Sequence, residues 1–139
     1  MATYAPSDIS TKPLRTASGS AVVYDGASTC TATCATGDII RWMIIPAGTR
    51  LCEISINVTT AYGTAAPITL RCSPVDGTTA TTIVSAGDTV LNTINKKAMV
   101  FSPVTITKDS YLEGLVGTVN TGASGVSTAT ALGMALGAA

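Results

Sequence analysis

The chain contains no histidine, few aromatic residues and little charge. Without histidine, it lacks the usual base of a serine or cysteine triad and the commonest metal ligand in proteins. Only 12% of the 139 residues are charged, and the eight basic residues balance the eight acidic ones. The sequence therefore has neither the basic stripe of a nucleic-acid-binding protein nor an acidic tail, and we predict no nucleic-acid partner.

Long apolar segments are also missing. No run approaches the roughly 18 apolar residues that a membrane-spanning helix needs. The N-terminal sequence MATYAPSDISTKPLR has neither the basic start nor the apolar stretch of a signal peptide. We therefore expect a protein that is made in a cytoplasm and has no membrane partner.

The acidic residues form no recognisable catalytic pair. Most of them adjoin glycine or serine in predicted turns, where aspartate bonds to the local backbone. Glu53 and Glu113 instead lie in predicted strands, and they would form a catalytic pair only if the fold brought them together. The eight carboxylates are Asp8, Asp25, Asp38, Glu53, Asp76, Asp88, Asp109 and Glu113. The sequence thus predicts no enzyme and no cofactor.

The four cysteines, Cys30, Cys34, Cys52 and Cys72, do not have the two close pairs that are typical of a zinc site. Cys52 and Cys72 each share a predicted strand face with apolar residues, so we predict that both are small core residues. For the other two cysteines, free thiols are favoured, and a disulfide or zinc remains open.

Apolar residues and threonine dominate the composition. The hydrophobic fraction is 46%, the mean hydropathy is +0.43, and there are 24 threonines, a residue favoured on pleated sheets. An apolar chain with so few charges is typical of a protein whose surface is partly covered by copies of itself or by a larger partner.

The most informative stretch is Asp38–Val58, which predicts a central hairpin of two strands joined at a Pro-Ala-Gly corner. Apart from Arg41 the first strand is apolar, and it should be buried on both faces. The second strand alternates between apolar and polar residues, which is typical of a sheet with one face on a core. Pro46 and Gly48 favour a change of chain direction between the strands.

Residues 1–18 are polar and aperiodic, whereas residues 19–139 have the pattern of a single β-sandwich domain. We interpret residues 1–18 as an extended N-terminal arm, and a disordered tail is the alternative. If the arm orders against a partner, its apolar anchors should be Tyr4, Ile9 and Leu14 and its polar ones Lys12 and Arg15.

The rest of the chain predicts short strands with frequent turns and almost no helical periodicity. We predict a strand at Ala21–Tyr24 that ends at an Asp25–Gly26 turn, and residues 27–36 are left open as a loop or an edge strand. Further predicted strands are Ile68–Ser73, Thr78–Val84, Ala98–Phe101, Val104–Thr107 and Tyr111–Val119. With seven to nine strands, the chain should form an all-β sandwich or barrel.

Two features point to contacts between subunits. The only tryptophan, Trp42, lies among apolar residues and is favoured as a core or subunit-interface residue over a sugar-binding platform. In the tail, Leu132, Met134 and Leu136 alternate with alanine and glycine, which favours a final strand packed closely against a neighbour over the helix that is the alternative for residues 127–139.

The segment from Gly37 to Leu51 has the form G-D-[IV]-I-R-x-x-x-[IL]-P-A-G-x-R-[LV], and an alternating strand follows it. This pattern resembles small structural proteins of tailed bacteriophages that decorate or cement the capsid, over Asp38–Gly77. The resemblance implies a jelly-roll-like antiparallel β-sandwich, commonly a homotrimer, that binds the major capsid protein on the outer surface of the virion. It implies no catalytic residues.

The alternative function is that of a phage fibre or receptor-binding β module that recognises a host surface glycan. Such a module needs exposed aromatic residues or clustered carboxylates. Six aromatic residues in the whole chain make this alternative less favoured.

Overall fold

The structure, a computed structural model, describes residues 2–6, 21–30, 35–61, 67–85, 95–117 and 125–136. All regular secondary structure in these ranges is β-strand. The strands are β1 (Thr3–Tyr4), β2 (Ala21–Cys30), β3 (Ile39–Ile45), β4 (Thr49–Thr60), β5 (Ile68–Pro74), β6 (Thr81–Val84), β7 (Asn95–Ala98), β8 (Val104–Ile106), β9 (Ser110–Val116) and β10 (Gly125–Ala135). Apart from the two-residue β1, the described residues contain nine strands, which confirms the predicted number.

The strands form two sheets that pack face to face. Sheet A has the order β1-β3-β9-β5-β6, and sheet B has the order β2-β10-β4-β7, with β8 also paired to β4. All pairs are antiparallel except β1 with β3. The chain crosses repeatedly between the sheets, and its last strand lies beside β2. The arrangement is the predicted all-β sandwich.

The core lies between the two sheets. Period-2 alternation places one side of each strand inward, and the strongest alternation occurs in β4, β5 and β10. The largest side chains that are almost fully buried are Trp42, Ile40, Ile45, Leu51, Ile54, Ile56, Ile68, Leu70, Leu112 and Glu113. Only the last of these is charged, and it lies on the outer side of sheet A.

The Pro-Ala-Gly corner is present, but it does not close a hairpin. Gly48 has a φ of 80°, which is accessible to glycine at little cost. Since β3 belongs to sheet A and β4 to sheet B, the corner carries the chain from one sheet to the other. The predicted pairing of these two strands is therefore wrong, although both strands and the corner between them are confirmed.

Strand β2 does not end at the predicted Asp25–Gly26 turn. The strand continues to Cys30, with Asp25 opposite Thr130 and Gly26 opposite Ala129 on β10. A Cβ atom at Gly26 would overlap the carbonyl oxygen of Trp42. Glycine is needed here because two backbones approach closely, which is a second common use of the residue besides turns. Residues 27–30 therefore belong to an edge strand and not to a loop.

The strands that the sequence predicts after residue 97 are present with one exception. The tail forms a strand over Gly125–Ala135. The predicted strand at Tyr111–Val119 is present as β9, with Leu112, Gly114 and Val116 facing the core. The strand predicted at Ala98–Phe101 is wrong because β7 ends at Ala98. Met99 and Phe101 pack against the core from an irregular segment that mimics a strand in its apolar spacing.

The prediction that Cys52 is a core residue is also wrong. Leu132 lies opposite Glu53 and Gly133 opposite Leu51, so Cys52 is the extra residue of a β-bulge in β4. The bulge turns Leu51 inward and leaves Cys52 half-buried. Cys72 is buried, as predicted. The side chain of Cys30 and all of Cys34 lie outside the described residues.

Candidate interaction surfaces

The outer face of sheet B has an apolar end. Val23 on β2 lies opposite Leu132 on β10, and Met134 and Leu136 follow on the same face. Val23 is 60% exposed, Met134 41% and Leu136 47%. We call these four residues the sheet B patch. Three of them are the tail residues that the sequence predicts at a subunit interface, and Val23 is an addition that the cross-strand register reveals.

Two opposite charges border the sheet B patch on β4. Arg50 lies opposite Met134, and Glu53 lies opposite Leu132; both are exposed. Farther along the same face the residues become polar, with Thr128 opposite Asn57. One face of sheet B therefore changes from apolar at one end to polar at the other.

The outer face of sheet A contains a row of three charged residues. Arg41, Glu113 and Arg71 lie side by side on β3, β9 and β5. Glu113 Oε1 accepts a hydrogen bond from Arg41 Nε at 2.9 Å, and Glu113 Oε2 accepts one from Arg71 Nε at 2.7 Å. The Glu113 side chain has no exposed surface, whereas Arg41 and Arg71 are 27% and 22% exposed. The two guanidinium groups thus cover the carboxylate. We call these three residues the sheet A ion row.

Tyr111 supports one end of the sheet A ion row. The guanidinium carbon of Arg41 lies 4.0 Å from the centre of the Tyr111 ring, which is a cation–π contact. On the other side of the row, half-buried Ile39 and Leu115 lie opposite each other. The charged row is therefore set in a weakly polar sheet face.

Asp38 ties the start of the chain to sheet A. Its carboxylate accepts hydrogen bonds from the backbone N–H groups of Ala2 and Ala35, both at 3.0 Å, and the side chain is buried. Tyr4, in β1, is half-buried and packs against the core. Of the predicted arm anchors, only Tyr4 is within the described residues; Ile9, Lys12, Leu14 and Arg15 lie outside them.

Trp42 is a core residue, which is one of the two positions that the sequence favours for it. It is 1% exposed within a single chain, and its Nε1 donates a hydrogen bond to Ser127 Oγ at 2.9 Å. A register shift in β3 between Arg41 and Met43 makes Trp42 the extra residue of a bulge and directs it inward. A second subunit could reach the ring only if the sandwich opened.

A cavity of about 310 Å³ lies near the ends of β5, β8 and β9. Burial, with a smaller contribution from the negative charge of Glu113, raises the pKa of Cys72 in its wall to about 12. That cysteine is consequently a neutral thiol near pH 7 and a poor nucleophile. At the rim, Lys108 Nζ is 3.0 Å from Asp76 Oδ2. The described residues that line this cavity include no acid–base pair for catalysis.

Glu53 and Glu113 are not brought together. Glu113 belongs to the sheet A ion row, while Glu53 is exposed on the outer face of sheet B. Among the described residues, no group of three histidine, cysteine or carboxylate side chains could hold a metal ion. None of the described segments forms a helix of the length and apolarity that crossing a membrane requires.

The sheet A ion row is a feature that sequence reasoning missed. The sequence does contain a sign of it, because Arg41, Arg71 and Glu113 are each the only charged residue of their strand. The sequence does not say that the three strands are adjacent and in register.

No protein-family model matches this sequence, and no curated protein matches it. Several solved structures have a similar fold. A chain of the cyanophage Pam1 capsid asymmetric unit is 21% identical, with a TM-score of 0.63 over 89% of this chain and 91% of that chain. A chain of the capsid of Ralstonia phage GP4 is 19% identical, with a TM-score of 0.60 over 93% of this chain and 92% of that chain.

A third similar chain belongs to the acidic stable capsid structure of the Helicobacter pylori bacteriophage KHP30. It is 13% identical, with a TM-score of 0.51 over 84% of this chain and 89% of that chain. At these identities the likeness establishes the fold, and it extends over nearly the whole of each chain.

Proposed function

We propose that this protein is a non-enzymatic structural protein of a bacteriophage virion, which binds the outer surface of the capsid and stabilises the head lattice. The observation that carries the proposal is the similarity of its fold, over 84% to 93% of the chain, to chains from three phage capsids. The similarity in sequence pattern over Asp38–Gly77 supports the same assignment independently of the fold.

The major capsid protein is the partner that this proposal implies. A capsid presents the same binding site many times, so modest contacts made by many copies sum to a large stabilisation of the lattice. A chain with 12% charged residues and weakly polar sheet faces suits such contacts, because little charge has to be desolvated when a face is covered. The protein would be made in the host bacterial cytoplasm and then join the virion.

A homotrimer is the proposed state of the free protein, and the sheet B patch is its proposed interface. Three exposed apolar side chains on one end of a flat sheet face are typical of a surface that a second copy covers. Arg50 and Glu53, at the border of the patch, could pair between neighbouring copies of a closed ring. Residues 1–18 would be the arm that contacts the partner.

Glycan binding by a fibre-type module has weaker support. The five described aromatic residues are Tyr4, Tyr24, Trp42, Phe101 and Tyr111, and each of these side chains is buried or half-buried. Tyr111 is in addition covered by Arg41. Among the described residues, the structure thus presents no stacking platform for a sugar ring.

The test combines solution mass with capsid binding. Light scattering of the purified protein should give the mass of a discrete trimer, and the trimer should co-sediment with capsids of the same phage that lack this protein. Capsids that carry it should withstand a higher temperature before they open. A monomer that stays in the supernatant would overturn both the trimer and the capsid-binding function.

A further inference from the structure

The sheet A ion row gives the outer face of sheet A a net positive charge. The five strands of sheet A contain only three charged residues, Arg41, Arg71 and Glu113, and these form the row. Two guanidinium groups and one carboxylate leave a surplus of one positive charge. Because Glu113 is fully buried beneath the arginines, a molecule that approaches this face meets the positive charge first.

Each arginine has hydrogen-bond donors to spare. A guanidinium carries five N–H donors. Arg41 gives Nε to Glu113, and Arg71 gives Nε and Nη2 to the same carboxylate. Neither arginine has a second acceptor within the part of the chain that the structure describes. The remaining donors belong to side chains that are about one-quarter exposed, so an outside acceptor can reach them.

The two guanidinium groups are already held in place. Glu113 lies between them on the central strand of the row, and the Tyr111 ring lies beneath Arg41. A ligand that binds ordered arginines loses less side-chain entropy than one that must order them. Arginine and tyrosine surrounded by apolar residues are also the side chains that contribute most often to the affinity of protein interfaces.

We propose that Arg41 and Arg71 form a binding site for an acidic side chain of a partner protein. A carboxylate matches the planar donor pattern of a guanidinium and the single surplus positive charge. A nucleic acid would require a larger basic surface. Docking would also cover Ile39 and Leu115, which gives the site an apolar border. The proposal rests on the proposed function in taking the major capsid protein as that partner.

The test uses charge changes with opposite expected effects on the affinity for capsids that lack this protein. Arg71→Gln should weaken binding about tenfold, since a partly desolvated charge pair is lost. Glu113→Gln should strengthen binding several-fold, because it raises the surplus charge of the row even though it weakens the fold. Lys108→Gln removes one positive charge that is paired with Asp76 outside the row, and it should bind like the wild type.

A peptide titration tests the site without capsids. The arginine Nε–Hε signals are followed by NMR while hexaglutamate or hexaglutamine is added to the full-length protein. The signals of Arg41 and Arg71 should shift with hexaglutamate alone, and added salt should reverse the shift. No shift, or an equal shift of exposed Arg50, would overturn the site. Arg71→Lys keeps the positive charge but loses the planar guanidinium that can donate two parallel hydrogen bonds. Hexaglutamate should therefore cause a smaller shift of the Arg41 signal in this variant.

The outcomes separate this proposal from the proposed function. If wild-type protein does not bind capsids, capsid binding is wrong, and the peptide titration alone decides whether the carboxylate site exists. If the wild type binds capsids but Arg71→Gln and Glu113→Gln bind equally well, the site is wrong and capsid binding stands. A change of oligomeric mass in Arg71→Gln would mean that a second copy of this chain occupies the site, which would overturn the assignment to a different partner.

Discussion

Glu113 and Arg71 form an ion pair of 2.7 Å between adjacent strands, on a sheet face where the carboxylate has no exposed surface. Arg41 contacts the other carboxylate oxygen at 2.9 Å. A buried carboxylate costs free energy unless opposite charges and hydrogen bonds compensate for its lost hydration. Two arginines therefore share the role of keeping one buried charge satisfied, and each should partly replace the other.

Removing the two arginines should destabilise the protein more than additively. Arg71→Ala leaves Glu113 paired with Arg41 and should cost about 1–3 kcal/mol of the free energy of unfolding. The double variant Arg41→Ala/Arg71→Ala leaves the buried carboxylate unpaired and should cost more than the two single variants together, at least about 3–5 kcal/mol. Urea unfolding followed by the fluorescence of buried Trp42, the only tryptophan, measures both values.

Arg50→Ala is the matched control for these variants, because Arg50 is exposed on the outer face of sheet B. It should change the free energy of unfolding by no more than about 1 kcal/mol, because the exposed ion pair proposed between Arg50 and Glu53 of a neighbouring copy contributes no more than that. If the double variant costs only the sum of its two single variants, the shared compensation of Glu113 is wrong.

The residue pattern of β9 and β10 was sufficient to predict both strands from the sequence, since period-2 alternation is a local property. The bulge at Cys52 was not predictable in this way. An extra residue moves the preceding side chains of the strand to the opposite face of the sheet, and whether a residue is extra depends on the pairing with the neighbouring strand. The sequence favours a turn at Gly26 because glycine is common both in turns and where two backbones approach closely.

The two candidate surfaces differ in the same way in how far the sequence predicts them. The apolar residues of the sheet B patch on β10 could be predicted because Leu132, Met134 and Leu136 recur every second residue along one strand. The sheet A ion row could not be predicted. Arg41, Arg71 and Glu113 are 30 or more positions apart in the sequence, and only the order of the strands in the sheet brings them together. Contacts within a strand are predictable from periodicity, while contacts across a sheet depend on topology.

Gly26→Ala should prevent normal folding. The added Cβ would overlap the Trp42 carbonyl oxygen, so β2 and β3 would have to separate, at a cost of about 3 kcal/mol or more. Gly117→Ala is the control, because a Cβ there would lie 3.4 Å from Pro67, an ordinary contact. Thermal unfolding should show a large loss for the first variant and a change of less than about 1 kcal/mol for the second. Equal effects would contradict the close approach of β2 to β3.

An acidic side chain in the sheet B patch should prevent self-association. Met134→Asp places a charge among Val23, Leu132 and Leu136, and association would bury that charge. Arg50, which lies opposite it on β4, would offset only part of the lost hydration. Light scattering should then give a monomer mass, while the free energy of unfolding of the monomer changes little because Met134 is already 41% exposed. Thr128→Asp, on the same face of β10 but at its polar end, should leave the trimer intact. A trimer in both variants would exclude this patch as the interface.

Cys72 and Cys52 should differ in reactivity in the native protein. Cys72 is 3% exposed, and burial raises its pKa to about 12, so almost no thiolate forms at pH 8. Cys52 is half-buried and accessible from the outer face of sheet B. A short treatment with iodoacetamide at pH 8, followed by peptide mapping, should label Cys52 but not Cys72; prior unfolding should allow both to react. Labelling of native Cys72 at the rate of the unfolded protein would contradict its burial.

The turn that follows β5 should lose stability in strong acid because of Asp76. Its carboxylate accepts hydrogen bonds from the Thr78 hydroxyl at 2.7 Å and the Thr78 N–H at 3.0 Å, and it pairs with Lys108 at 3.0 Å. These contacts, the Thr78 hydroxyl first, lower the pKa of Asp76 to about 2. Since the folded pKa lies below the ordinary value of about 4, the carboxylate stabilises the fold above pH 4 and loses this effect as the pH falls through 2.

Asp76→Asn should therefore be less stable than the wild type at neutral pH, and the difference should shrink between pH 4 and pH 2. Urea unfolding at a series of pH values measures the difference, and carbon-13 NMR of the side-chain carboxyl gives the titration midpoint directly. Thr78→Val removes the strongest of the three contacts and should raise that midpoint, whereas high salt should affect mainly the contribution of exposed Lys108. A wild-type midpoint near 4, or a stability difference that does not change with pH, would mean that the turn does not hold the carboxylate in solution.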